Sequence, residues 1–126
     1  MSHRIVMPPH TNHRGTLFGG MALAWIDEET AITVARVLGH ADIVTKAMAA
    51  IEFKAPGRVG DILELDSKVI EVGETSVTVD CCLRNMSTGK EIVKVDKVVY
   101  VSVTSEGKRC PHGLTLDKVD PSLIRR

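Results

Sequence analysis

Along residues 19–38 the apolar positions Leu23, Ile26, Ala31, Val34, Ala35 and Leu38, with Thr30 beside Ala31, recur at the period of an α-helix. No proline interrupts the stretch, and Gly39 follows it as a helix C-terminus prefers. Beyond Gly39 the pattern becomes that of strands. Residues 43–53 are strand-length with β-branched ends, and Pro56 and Gly57 close them; residues 61–72 and 76–85 alternate apolar with polar positions. Residues 91–104, rich in valine, make the clearest strand, and the link at 86–90, with Thr88 and Gly89, has hairpin character. Upstream, residues 4–7 form a short apolar piece, halted by Pro8 and Pro9 and suited to a sheet edge. Residues 10–15 are polar and end on glycine, a loop that feeds the helix.

One helix followed by four strands on short links predicts an α+β fold whose strands form an antiparallel meander. A helix this apolar has to be wrapped or covered, so the sheet is expected to curve around it. A single sheet leaves an open edge and a shallow core, which a second copy of the chain would complete as a homodimer. Residues 1–126 read as one domain, and the last stretch, 112–126, is expected to be loosely held for want of any long periodic signal.

The 126 residues, 44% of them hydrophobic, suffice for a core. Zero formal net charge and 3% aromatic content give no general attraction to nucleic acid or an acidic membrane, and few rings on which bases could stack. No apolar run approaches a membrane span, and the first ten residues lack the apolar core of a secretion signal, which points to the cytoplasm. The three cysteines, Cys81, Cys82 and Cys110, include an adjacent pair and fit neither a disulfide framework nor CxxC metal spacing. In a strand, Cys81 and Cys82 would face opposite sides.

One residue is out of keeping with the helix that bears it: Asp27, beside Trp25 and Ile26. It stands about two turns beyond Gly20, on the side of the first-turn backbone N–H groups. Those groups have no partner inside a helix and carry the positive end of its dipole. Donors for a developing oxyanion, and a base for water, are what acyl transfer requires. A lone acid at this depth is also an ordinary solvated residue. Glu28 and Glu29, each rotated by about 100° from the residue before, are expected at an interface or in solvent.

Asn12, Gly15, LFGG at 17–20 and WIDE at 25–28 resemble the signature of the hotdog-fold acyl-CoA thioesterases, notably the short bacterial acyl-CoA hydrolases and each half of the tandem cytosolic hydrolases of animals. The resemblance continues in order through VTKAMAAIEFKAPGRVGD at 44–61, GETSVTV at 73–79, SEGK at 105–108 and Pro111. It implies a hotdog fold, a curved antiparallel sheet wrapped around one long central helix, in a homodimer that builds into a tetramer or hexamer. It also implies hydrolysis of an acyl-CoA thioester to a free acid and CoA. Asp27 falls where the family's helix carboxylate serves as general base or nucleophile, and Asn12 where an asparagine holds water or substrate. Gly20, with Gly19 and Met21, falls where backbone N–H groups meet the thioester oxygen. In the family the acid of one subunit lies near loop and strand residues of the other, so Asp27 and Asn12 would meet from different chains.

Lys54, Arg58, Thr75 and Ser76 resemble positions along the family's CoA path, although Lys54 and Arg58 also read as ordinary charges on a solvated turn. No metal or redox cofactor is implied, since coenzyme A arrives as part of the substrate. Two other readings belong to the same fold. A non-catalytic acyl-CoA binding or sensing module would keep the CoA slot without the chemistry. A dehydratase would want a histidine and acid pair, for which His13 sits too near the loop entry.

Overall fold

Helix α1 spans Gly19–Leu38 and ends at Gly39, whose φ of 82° is the left-handed conformation that glycine tolerates best. The computed structural model describes all of residues 1–126. Ala22, Trp25, Ile26, Glu29, Thr30, Thr33 and Val34 form the buried face of α1, repeating at steps of three and four. Full burial of Ile26 or Val34 contributes roughly 2 kcal/mol each. Glu29 corrects the expectation of an interface or solvent position. It follows Trp25 by one turn and so lies on the same buried stripe, 9% exposed, where the Ser2 hydroxyl donates to its carboxylate at 2.6 Å.

Five antiparallel strands carry the helix: β1 (Ser2–Ile5), β2 (Ile43–Phe53), β3 (Ile62–Val72), β4 (Ser76–Asn85) and β5 (Glu91–Ser102). Their order in the sheet is β1-β3-β4-β5-β2. The meander expected from four consecutive strands therefore holds only for β3, β4 and β5. Strand β2 pairs with β5, placing Thr45 opposite Tyr100 and Phe53 opposite Val93. The cause lies in the link at 54–61. Lys54 and Ala55 donate backbone bonds to Ile92, Gly57 accepts from Leu17, and Asp61 accepts from Val6. The link thus crosses the end of the sheet beneath the entry to α1 instead of turning back on itself. Its extended reach of roughly 27 Å comfortably exceeds the three strand spacings, about 14 Å, that it must pass.

Irregular pairings between Thr45 and Ala47 in β2, Val69 and Glu71 in β3, and Val79 and Cys81 in β4 bend the sheet, as bulges do. Its inner residues, among them Leu63, Leu65, Val69, Val79 and Leu83, are fully buried with Ile26 and Val34. Cys81 joins that core, whereas Cys82 bonds to Glu91 outside it, as alternation requires. Strand β2 forms one edge of the sheet. It is long and mostly uncovered, with Val44 48% and Phe53 58% exposed, which leaves a template for further pairing.

Residues 112–126, expected to be loose, are instead held against the sheet. Val119 is buried, the backbone N–H of Arg125 donates to Val69, and the Arg125 guanidinium grips both oxygens of Asp80 at 2.7 and 2.8 Å and Asp66 at 3.1 Å. Arg125→Ala is expected to cost about 1 kcal/mol, because the pairs are two-pronged yet partly solvated. A thermal melt should show a midpoint lower by a few degrees. An unchanged melt would mean that these bonds add nothing to stability.

Candidate active site

Two groups of sequence-predicted residues lie at opposite ends of β2. At the first end the Asp27 side chain, half-buried on α1, meets the start of β2 and the far part of β5. The Thr45 hydroxyl donates to Asp27 Oδ1 at 2.8 Å and the Tyr100 hydroxyl lies 2.7 Å from the same oxygen. Tyr100 OH is also 2.7 Å from the Asp27 backbone carbonyl and from Thr30 Oγ1. No group of the chain bonds Asp27 Oδ2. A shallow cleft lined by Ala24, Ala31, Ile43, Thr45 and Tyr100 opens beside this carboxylate. Burial pushes the Tyr100 phenol above its ordinary range, so it stays protonated and remains a donor.

At the other end is the start of α1. Phe18 occupies the N-cap with no side-chain cap, and the backbone N–H groups of Gly19, Gly20 and Met21 have no acceptor in the chain. Two phenylalanine rings, both more than half exposed, lie close over these glycines. A Cβ on Gly20 would come within 2.7 Å of the Phe18 ring, and one on Gly19 within 3.2 Å of Phe53. Asn12 sits in the loop before the helix, where its Oδ1 accepts from the backbone N–H groups of Arg14 and Thr16 at 2.9 and 3.2 Å. This Asx turn fixes the loop and leaves the two amide donors of Asn12 unbonded. Asn12, Gly19, Phe53, Lys54 and Pro56 line one cleft.

Within one chain the two ends stay apart. Gly20 and Asp27 are separated by about 10 Å along the helix axis, and the cleft beside Asp27 contains neither Gly20 nor Asn12. The expectation that a carbonyl could rest against the first turn of the helix that bears the acid is therefore not met by a single subunit.

The residues assigned to a CoA path divide in the same way. The Lys54 ammonium is 2.8 Å from Glu91, and that bond holds the Glu91 carboxyl down at about 2. Lys54 thus has a partner already. Arg58 is exposed on the crossing link and its guanidinium makes no bond within the chain. Thr75 and Ser76 are at the Asp27 end. Ser76 pairs with Val101, and the Thr75 carbonyl accepts from Ser102, whereas Lys54 bonds to Ile92; the separation along β5 is roughly 30 Å. His13 and Arg14 are exposed. Sequence reasoning missed Thr45 and Tyr100. Thr45 carried no local signal, but Tyr100 is the only tyrosine of the chain, a lone aromatic in a valine run, and that oddity was visible.

The thioesterase superfamily profile matches residues 14–92, which include the helix, β2, β3 and β4. Over 82 residues, 65% of this chain, the sequence is 38% identical to acyl-coenzyme A thioesterase 11 of Mus musculus. The chain spans 14% of that protein's length, and 50% of the length of an uncharacterized acyl-CoA thioester hydrolase of Zymomonas mobilis that is also 38% identical. A hexameric hotdog-fold thioesterase of Campylobacter jejuni superposes with a TM-score of 0.76 at 32% identity, covering 97% of this chain and 90% of that one. An acyl-CoA hydrolase of Staphylococcus aureus, solved with butyryl coenzyme A and coenzyme A, superposes at 0.77 with 32% identity, covering 87% and 66%. A helix laid on a curved five-stranded sheet, an acid on that helix and a matching profile across most of both establish that this chain belongs to the thioesterase superfamily and has its hotdog fold.

Proposed function

We propose that the protein is an acyl-CoA thioesterase whose active site is assembled from two chains. The observation that carries this reading is the Asp27 carboxylate, held by two hydroxyls, facing a cleft and lying beside an uncovered strand edge. A second copy laid antiparallel on β2 would put the Thr45 end of one strand beside the Phe53 end of the other. Asp27 of one subunit would then face Asn12 and the free N–H groups of Gly19, Gly20 and Met21 of the partner. The hexameric assembly of the Campylobacter relative supports such a pairing as a building block, with hexamer or tetramer as the larger form.

In this arrangement the thioester oxygen accepts from the helix N-terminus, where three unpaired donors and the dipole oppose the negative charge that develops. The Asn12 amide orients water or the carbonyl, while Asp27 takes the proton from water or attacks the acyl carbon itself. Arg58 is free to pair with a phosphate of CoA, and Thr75 and Ser76 would approach the same ligand from the other subunit. Lys54 would contribute only by leaving Glu91.

Incubation with acyl-CoAs from acetyl to palmitoyl, followed with a thiol reagent, tests the activity. Release of CoA together with the free acid is expected. Tight binding of acyl-CoA without release would identify a binding or sensing module, and, with a 3-hydroxyacyl-CoA added to the panel, loss of water to give a 2-enoyl-CoA would identify a dehydratase; either would contradict hydrolysis.

A further inference from the structure

Asp27 has two carboxylate oxygens in unequal surroundings. Oδ1 lies 2.8 Å from Thr45 Oγ1 and 2.7 Å from the Tyr100 hydroxyl, while Oδ2 has no partner in the chain. Protons can be assigned. Thr45 and Tyr100 each have one hydroxyl proton, and an ionised carboxylate oxygen is the strongest acceptor within reach of either. Thr30 Oγ1 lies 2.7 Å from both the Tyr100 oxygen and the Ile26 backbone carbonyl, so its single proton has two acceptors within reach. Tyr100, buried between the helix and β5, thus touches Thr30 Oγ1, the Asp27 carbonyl and Asp27 Oδ1, each at 2.7 Å, while Thr45 reaches the same Oδ1 from the exposed side.

The elements that build this chain of bonds are rigid. Tyr100 is 2% exposed and Thr30 is fully buried, so the phenol has little room to leave. Donors from β2 and β5 thus bracket a side chain on α1. A carboxylate fixed at one oxygen cannot rotate freely about its last bond, and its other oxygen keeps one direction.

We infer that Tyr100 and Thr45 are positioning residues for the thioesterase reaction, pinning Asp27 through Oδ1 so that Oδ2 is the oxygen that takes the proton or attacks the acyl carbon. This rests on Asp27 being the base or nucleophile. It adds which of its atoms reacts and which residues decide that. Both side chains also line the cleft beside Asp27, so the split between kcat and KM separates action through the acid from contact with substrate.

The test compares Tyr100→Phe, Thr45→Val and Asp27→Asn in the intact protein with a butyryl or longer acyl-CoA. Tyr100→Phe keeps the ring and removes the donor. It should lower kcat by about 10- to 100-fold, the factor associated with one hydrogen bond to a charged group, and leave KM within about twofold. Thr45→Val, at an exposed strand position, should act in the same direction by a smaller factor. A kcat within about twofold of the parent for both variants, with Asp27→Asn inactive, would overturn the positioning role and leave Asp27 as the acid. Full turnover by Asp27→Asn would overturn the role of the acid and the positioning together. Should Tyr100→Phe fail to fold, Thr45→Val decides alone, and an unchanged kcat there counts against the inference. A rise in KM with kcat unchanged would likewise overturn it, because it would place these side chains in substrate binding.

Discussion

Replacing Asp27 with asparagine is expected to lower kcat for acyl-CoA hydrolysis by roughly 10²- to 10⁴-fold without unfolding the protein. The amide has the shape of the carboxylate, and its oxygen can still accept from Thr45 and Tyr100 at the position of Oδ1. What is lost is the capacity to take a proton or attack a carbonyl. Because Asp27 is half-buried and forms no ion pair, its neutralisation leaves no opposite charge stranded. CoA affinity should therefore persist, as measured by calorimetric titration, while turnover in a thiol-release assay nearly vanishes. Turnover within a factor of about two of the parent would remove Asp27 from the chemistry.

Charging the middle of the open strand should have an effect of similar size by a different route. Ala47 and Ala49 are exposed on β2 and sit near its centre, where a two-fold axis would bring each strand against its own copy. Aspartates at both positions, Ala47→Asp with Ala49→Asp, would set like charges opposite one another across that axis. They would touch nothing buried within one chain. The double variant is expected to sediment as a monomer with unchanged circular dichroism and to lose at least about 100-fold in turnover, although Asp27, Asn12 and the helix start are all intact. A fully active monomer would contradict an active site shared between subunits.

Much of this molecule was legible in its residues, and the limits of that legibility follow physical lines. The helix could be bounded closely because its apolar period, the glycine at 39 and the lack of proline are local signals. Asp27 stood out because an ionisable side chain in an apolar helix calls for a partner. Glu29 was misplaced even though it follows Trp25 by one turn, because its charge outweighed its position on the stripe. The place of β2 beside β5 had no local signature, since a strand's pattern sets its faces but not its neighbours. The grip of Arg125 on Asp80 and Asp66 and the bonds of Tyr100 and Thr45 to Asp27 join residues distant in sequence, and no periodicity encodes them. The resemblance to a known family singled out Asn12 and Gly20 as candidates. The structure adds that Asn12 spends its carbonyl oxygen on its own loop and has only its N–H donors to offer.

Whether two chains build one site can be measured by mixing. Asn12→Asp keeps an acceptor for Arg14 and Thr16 and removes the amide donors, so on its own it should be nearly inactive, as should Asp27→Asn. In a dimer that contains one of each, one site would hold both substitutions and the other neither. Dissociating the two inactive variants together and allowing random reassociation should therefore restore about a quarter of the parental activity, the share of intact sites in a statistical mixture. If the mixture stays as inactive as its components while mixed dimers are demonstrably formed, Asp27 and Asn12 do not act on one substrate from opposite subunits.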